Sequence, residues 1–330
     1  MRKNPKVSVV MSVYNGAEFL RESVESILSQ TYTNFEFVIV NDGSTDQTSK
    51  ILSEYEDRRI LCIDNGKNLG LAKSLNIGIR HANGKYIIRM DSDDVALKER
   101  IDVLVDFMEK NPTIDFAGSQ AFYLEKYNKT KNVFKVPLTS NKIKSKVLTN
   151  PPFIHPSVII RKESIRSIEN LYDPRFLNAQ DYDLWERLIF ENRLKPANIK
   201  LPLLYYRVHE LSISNSVNSK QRYFATKVRR RILKRFGISG NINLEVYNKF
   251  VYGGDLQRYS CMRLAHVLGQ MYNVNRTKFL IPVWSIKHVP FYKYGIWGIK
   301  LFYVSGNNRL FSVFKQLTFI LKSLLSFRCQ

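Results

Sequence analysis

A chain of 330 residues, 44% of them hydrophobic, is long enough for one large domain or two smaller ones. Three scattered cysteines, Cys62, Cys261 and Cys329, argue against a disulfide framework, fit a reducing compartment and offer no zinc-type spacing. The net charge of +22 is uneven: residues 1–194 hold 28 Lys+Arg against 26 Asp+Glu, and residues 195–330 hold 23 against 3. That imbalance predicts a boundary between 195 and 220 and an anionic partner for the C-terminal part.

The first element, "KVSVVMSVY" (6–14), is a β-branched run expected of a strand buried on both faces. The apolar stretch is too short, and turns polar too soon, for a secretory signal. "AEFLRESVESILSQ" (17–30) spaces Phe19, Leu20, Val24, Ile27 and Leu28 as a helix does. "FEFVIVND" (35–42) is a second buried strand, and "STDQTSKILSEYE" a helix with Ser44 or Thr45 as N-cap. "RILCID" (59–64), "GLAKSLNIGIRHA" (70–82) and "GKYIIRMDSDD" (84–94) read as strand, helix, strand. Alternation with short connections predicts an α/β fold with a mostly parallel sheet, helices on both faces and ligands beyond the strands' carboxyl ends. Asp42 and Asp91 fall at such ends and should share a crevice.

"LKERIDVLVDFMEKNP" (97–112) is an amphipathic helix ended by Pro112. "IDFAGSQAFYLE" and "HPSVIIRKE" read as strands, "NAQDYDLWERLIFE" (178–191) as a helix, and "LLYYRVHELSIS" (203–214) as a strand leading into a loop. Basic helices and an aromatic, basic tail follow residue 220.

"MDSDDVAL" (90–97) crowds Asp91, Asp93 and Asp94 together with no His or Cys beside them in sequence. Hard oxygen ligands suit Mg2+ or Mn2+, which take one or two protein carboxylates and complete their shell with water and phosphate oxygens. A D-x-D pattern alone also fits an acidic turn capping the next helix.

Context favours the metal. "MSVYNGAEFLRESVESILSQTYTNFEFVIVNDGSTDQT" (11–48), "NLGLAKSLNIGIRHANGKYIIRMDSDD" (68–94), "HPSVIIRK" (155–162), "NAQDYDLWERL" (178–188) and "YYRVHELSIS" (205–214) together resemble glycosyltransferase family 2, the inverting enzymes with the GT-A fold, of the bacterial surface-polysaccharide type. The resemblance runs from about Val7 to Ser214. It implies a hexosyl- or N-acetylhexosaminyltransferase using a UDP-sugar donor. Ser12, Val13 and Tyr14 would line the uracil pocket with Glu18 close by, and Asp42 would accept from the uracil ring. Gly70 would lie in the loop over the nucleotide. Asp91 would contact the ribose, with Ser92 beside it; Asp93 would hold the metal against the diphosphate, and Asp94 would cap or orient the site. Ser12 stands where proline is common in the family.

Inverting transfer is an in-line displacement, so a carboxylate must take the acceptor hydroxyl's proton on the side away from the diphosphate. Asp181 matches the family's base, with Gln180 where glutamate is usual. The start of a helix is expected to lower its pKa. Asp183, two residues on, faces away. Arg207 and His209 match a segment near the diphosphate; Arg207 would stabilise the leaving group and His209 complete the metal shell. His155 would border the acceptor site or simply pack.

In the C-terminal part, "KVRRRILKRFG" (227–237) and the Lys-interleaved aromatics of 278–304 suit an interfacial segment on anionic lipid, without a spanning helix. The division expected is 1–215 for the transferase domain (1–112 nucleotide-binding, 113–215 acceptor-binding) and 216–330 for a basic helical, membrane-associating region. The acceptor expected is a glycan on a lipid diphosphate, and the location the cytoplasmic, inner face of the plasma membrane. No nucleic-acid partner is expected, since no matching motif is present. The rival readings are a sugar-phosphate nucleotidyltransferase, disfavoured by "SVYNGAEFL" after the first strand, and a non-catalytic membrane- or nucleic-acid-binding protein on a dead transferase fold.

Overall fold

The computed structural model describes residues 7–209, 219–252, 263–264, 266–267 and 270–271. The chain divides into two compact units, 1–229 and 230–330. The expected domain boundary at 215 and the aromatic stretch 278–304 lie outside the described residues.

In chain order the first unit holds β1 (Val7–Val13), α1 (Leu20–Leu28), β2 (Phe35–Asn41), α2 (Thr48–Ser53), β3 (Ile60–Asp64), α3 (Leu71–His81), β4 (Tyr86–Asp91) and the two-residue β5 (Val95–Ala96). It continues with α4 (Arg100–Lys110), β6 (Phe116–Glu125), β7 (Asn128–Phe134), α5 (Ser140–Val147), β8 (Ile159–Arg161), α6 (Gln180–Glu186) and β9 (Pro196–Val208). α7 (Ser219–Arg235) runs across the division, and α8 (Asn241–Val251) belongs to the second unit.

The sheet order is β3-β2-β1-β4-β8-β6-β9-β5, with β7 on β6. β3, β2, β1 and β4 are parallel neighbours, as the alternating pattern predicts. β8 enters antiparallel to both β4 and β6, and β9 returns parallel to β6. Every residue of β1 and β2 is buried. Val7, Val9, Met11 and Val13 of β1 share a core with Leu20, Val24 and Ile27 of α1 and Ile101, Leu104 and Met108 of α4. On the other face Val10 packs so close to α3 that a Cβ on Gly78 would lie 2.6 Å from its Cγ1 methyl. Each such fully buried side chain contributes about 1.5–3 kcal/mol.

Several elements differ from expectation. α2 starts at Thr48, and neither Ser44 nor Thr45 caps it. Asp46 does part of that work: its Oδ1 accepts from Thr48 N (2.9 Å) while its Oδ2 accepts from Ala17 N (3.0 Å). Ser44 and Thr45 bond Asn15 instead, fastening the β1–α1 loop to the β2–α2 loop. Of "HPSVIIRKE" only Ile159–Arg161 is strand, flanked by 3-10 turns at His155–Ser157 and Lys162–Ile165. The helix expected over 178–191 is α6 followed by a π-turn at Arg187–Glu191. Among the described residues, no helix is long and apolar enough to cross a membrane.

Register sets the carboxyl ends side by side: Ser12 lies between Val40 and Asp91, and Val13 beside Asn41. Just beyond, Gly43 has φ +66°, and a Cβ there would lie 2.3 Å from the Lys67 carbonyl carbon. This contact presses the loop after β3 onto the end of β2. A non-glycine in that conformation costs about 1–2 kcal/mol before any clash. Gly43→Ala is therefore expected to lower stability by about 2 kcal/mol or more in a denaturant titration.

Candidate active site

The β2 and β3 ends build one wall. The Asp42 carboxylate is almost wholly buried: Oδ1 accepts from Leu69 N (2.8 Å) and Asn65 Nδ2 (2.9 Å), and Oδ2 from Gly70 N (2.9 Å). Asp42 thus anchors the loop that leads to Gly70, whose φ of 91° suits glycine and starts α3. Tyr14, at the end of β1, is 49% exposed and is no part of the core; Ser12 and Val13 are buried.

β4 supplies the acidic cluster. Ligand atoms of Asp91, Asp93 and Asp94 lie within 4.8 Å of one another. Burial and the neighbouring carboxylates raise the pKa of Asp94 well above the usual carboxylate range; burial and Asp93 raise that of Asp91 against the pull of Arg89. Asp94 Oδ1 accepts from Arg207 N (2.8 Å), while its buried Oδ2 has no hydrogen-bond partner among the described residues. Asp91 is ion-paired with the buried Arg89, and Ser23 Oγ donates to its carbonyl (2.8 Å). Beneath the cluster the buried Arg100 donates to the carbonyls of Arg89 and Pro156; burial pushes its pKa down to about 10.

This donor set fits a divalent cation. Three hard carboxylates converge, one buried oxygen is unpartnered, and their mutual repulsion is what a cation relieves. β9 brings His209 there, because β5 pairs antiparallel with its end. His209 Nε2 lies 3.0 Å from Asp93 Oδ2.

Arg207 occupies a different position from the diphosphate contact expected of it. Its side chain is fully buried. The guanidinium donates to the carbonyls of Asp93 (2.5 Å) and Lys126, pairs with Glu22 and stacks 4.4 Å over the Phe19 ring. Its Nε and both its terminal nitrogens bond to protein, so it acts as a strut for the acidic loop. Glu18 accepts from Tyr127 Oη (2.7 Å) and pairs with Lys126 Nζ (3.3 Å); the Tyr127 hydrogen bond holds its pKa low.

Asp181 sits in the first turn of α6, directly after Gln180. The preceding Ala179 is in the left-handed region (φ 58°), a conformation that costs alanine about 1–2 kcal/mol. The expected lowering of its pKa is reversed. Backbone N–H groups at the helix start do favour the carboxylate, but burial outweighs them and pushes the pKa up to about 6. Arg89 and Asp91 both act on its charge, so Asp181 and the acidic cluster share one electrostatic environment. Asp183, by contrast, is buried on Arg187 (2.8 Å).

His155 donates to or accepts from Tyr172 Oη (2.7 Å) and packs on Tyr172 and Trp185. Burial, aided by Arg89, lowers its pKa well below the usual histidine range, so it is a neutral packing group beside α6. The residues that sequence reasoning missed are Arg89, Glu22, Lys126, Tyr127 and Tyr172. Arg89 did leave a signal: a charge within the apolar run "KYIIRM", two residues before Asp91, faces the same side of the strand.

The Asp181 pKa has a stability consequence. In the folded state it exceeds the usual 3.8, so keeping the group ionised at neutral pH opposes folding. Asp181→Asn is expected to stabilise the protein above pH 6 by up to about 3 kcal/mol, and to have no effect once the carboxyl is protonated in both states. Denaturation midpoints measured across pH check this.

Comparison with known proteins bears on family and fold. The model of "Glycosyl transferase family 2" matches residues 8–168. A protein of Haemophilus influenzae named an uncharacterized glycosyltransferase is 34% identical over 261 residues, covering 75% of this chain and 79% of that protein. WfaP of Escherichia coli, named UDP-Glc:alpha-D-GlcNAc-diphosphoundecaprenol beta-1,3-glucosyltransferase, is 33% identical over 208 residues, covering 63% of this chain and 79% of its own. Among solved structures, S. aureus TarS 1-349 in complex with UDP-GlcNAc superposes with TM-score 0.59 at 17% identity, covering 88% of this chain and 89% of that one. The mannosyltransferase PcManGT from Pyrobaculum calidifontis, in complex with GDP-Man and Mn2+, gives 0.52 at 14% identity over 96% and 81% of the two chains. These two likenesses bear on the fold, which is the α/β arrangement of GT-A enzymes. The family model and the sequence relatives lead to one conclusion: the chain belongs to glycosyl transferase family 2 and is a glycosyltransferase.

Proposed function

We propose that this glycosyltransferase is a metal-dependent inverting enzyme that moves a sugar from a UDP-sugar to a hydroxyl of a glycan carried on a lipid diphosphate, in surface-polysaccharide synthesis. The observation that carries the reading is the pairing of the Asp91–Asp93–Asp94 cluster with a separate carboxylate, Asp181, whose pKa of about 6 suits proton removal near neutrality. The names of WfaP and of the TarS complex support UDP-sugar and lipid-diphosphate chemistry.

On this reading Tyr14, Ser12 and Val13 receive the base, with Glu18 and Ser92 at the margin. Asp42 works by fixing the Asn65–Gly70 loop over the nucleotide. Asp91 contacts the ribose. Asp93, with His209, would hold Mn2+ or Mg2+, which when bound would supply Lewis-acid stabilisation of the departing diphosphate's charge. Asp181 takes the proton from the acceptor hydroxyl as its oxygen bonds to the anomeric carbon. The carbon–oxygen bond to the diphosphate breaks in the same step, UDP leaves with the electron pair, and the configuration inverts. The seventeen-residue α7 carries eight Lys or Arg and no acidic residue, which supports docking on the anionic inner face of the plasma membrane, where such an acceptor resides.

Three expected outcomes follow from these roles. Asp93→Ala should abolish Mn2+-dependent UDP binding in calorimetry; unchanged affinity would reject the ligand role. Asp181→Asn should bind UDP as the wild type does and lose about 10²–10⁴-fold in transfer. Wild-type kcat should fall as pH drops through about 6, since only the ionised carboxylate accepts a proton; a flat profile there would place the base elsewhere.

A further inference from the structure

The site needs a cation for the diphosphate that its own strut does not supply. Arg207 is buried beneath the acidic loop, with its guanidinium committed to Glu22 and to the carbonyls of Asp93 and Lys126. Those last two bonds matter together. One planar group grips both the metal-site loop and the turn between β6 and β7, so the backbone of Lys126 is held a single guanidinium's width from that of Asp93.

The turn is built to stay there. Lys126 N donates to Val208 O (3.2 Å), one residue before His209. Lys126 itself is in the left-handed region (φ 49°), a strained conformation for lysine. Tyr127 donates to Glu18 (2.7 Å) and packs on Phe19, whose ring also contacts His209 (5.0 Å). The Lys126 side chain is 59% exposed and extends to Glu18 at 3.3 Å, a carboxylate that also feels the charge of His209. An exposed ammonium thus rises from a turn whose backbone Arg207 ties to that of Asp93, and it is paired with a carboxylate that an incoming anion can replace.

We propose that Lys126 is a diphosphate-binding residue: on donor entry its ammonium moves from Glu18 to the phosphate oxygens, and the β6–β7 turn is the strap that holds it over the acidic cluster. This inference rests on the nucleotide-sugar reading above. It predicts selectivity for the second phosphate, which a merely structural lysine would not confer. Calorimetry of the full-length protein with Mn2+ should show Lys126→Ala weakening UDP by about tenfold or more while UMP changes less than about twofold. Lys126→Arg should recover most of the UDP affinity. Equal losses for UDP and UMP, or no loss for either, would overturn the assignment. Wild-type protein that binds neither nucleotide would overturn the donor reading and the assignment with it.

Discussion

Three carboxylates within 4.8 Å of one another at the end of a buried strand repel strongly, and the architecture around them is organised to bear that repulsion. Two like charges at this spacing cost about 3 kcal/mol even at an effective dielectric of about 20. Arg89 answers from within β4, paired to Asp91, and Arg100 from α4 beneath. The compensation is partial: Asp91 and Asp94 keep raised pKa values, and one buried oxygen of Asp94 lacks a partner among the described residues. A site left electrostatically incomplete in this way favours a divalent cation and the anionic ligand that accompanies it.

The arginines divide their work by burial. Arg100 and Arg207 each donate to two main-chain carbonyls, a use that locates loops. A guanidinium suits this task because its planar donors reach several acceptors at fixed angles. A lysine suits the opposite task, a point charge on a mobile stem, and Lys126 stands exposed at the tip that Arg207 holds.

Asp181 shows a similar contest. Backbone N–H groups at the start of α6 favour ionised Asp181, and Arg89 adds to them. Burial and the field of Asp91 oppose both and win. The resulting value near 6 leaves the group mostly ionised near neutrality while keeping it a better proton acceptor than an exposed aspartate.

The sequence by itself determined the parallel half of the sheet. The β-branched runs at 7–13 and 35–41 cannot be other than buried strands, and the spacing of Leu20, Val24 and Ile27 dictates the helix that covers them. It also placed Asp42 and Asp91 at the ends of strands that flank β1, because parallel strands in register end together, and it placed Asp91, Asp93 and Asp94 in one cluster. Local pattern could not determine who partners those groups. Arg207 and Asp94 are 113 residues apart in the chain and Glu22 and Arg207 185 apart; only the return of β9 beside β5 joins them. The same holds for Lys126, carried in on a hairpin whose own sequence is ordinary, and for the direction of the Asp181 pKa. Charge type is written residue by residue, but burial, which decides what a charge costs, belongs to the packed whole.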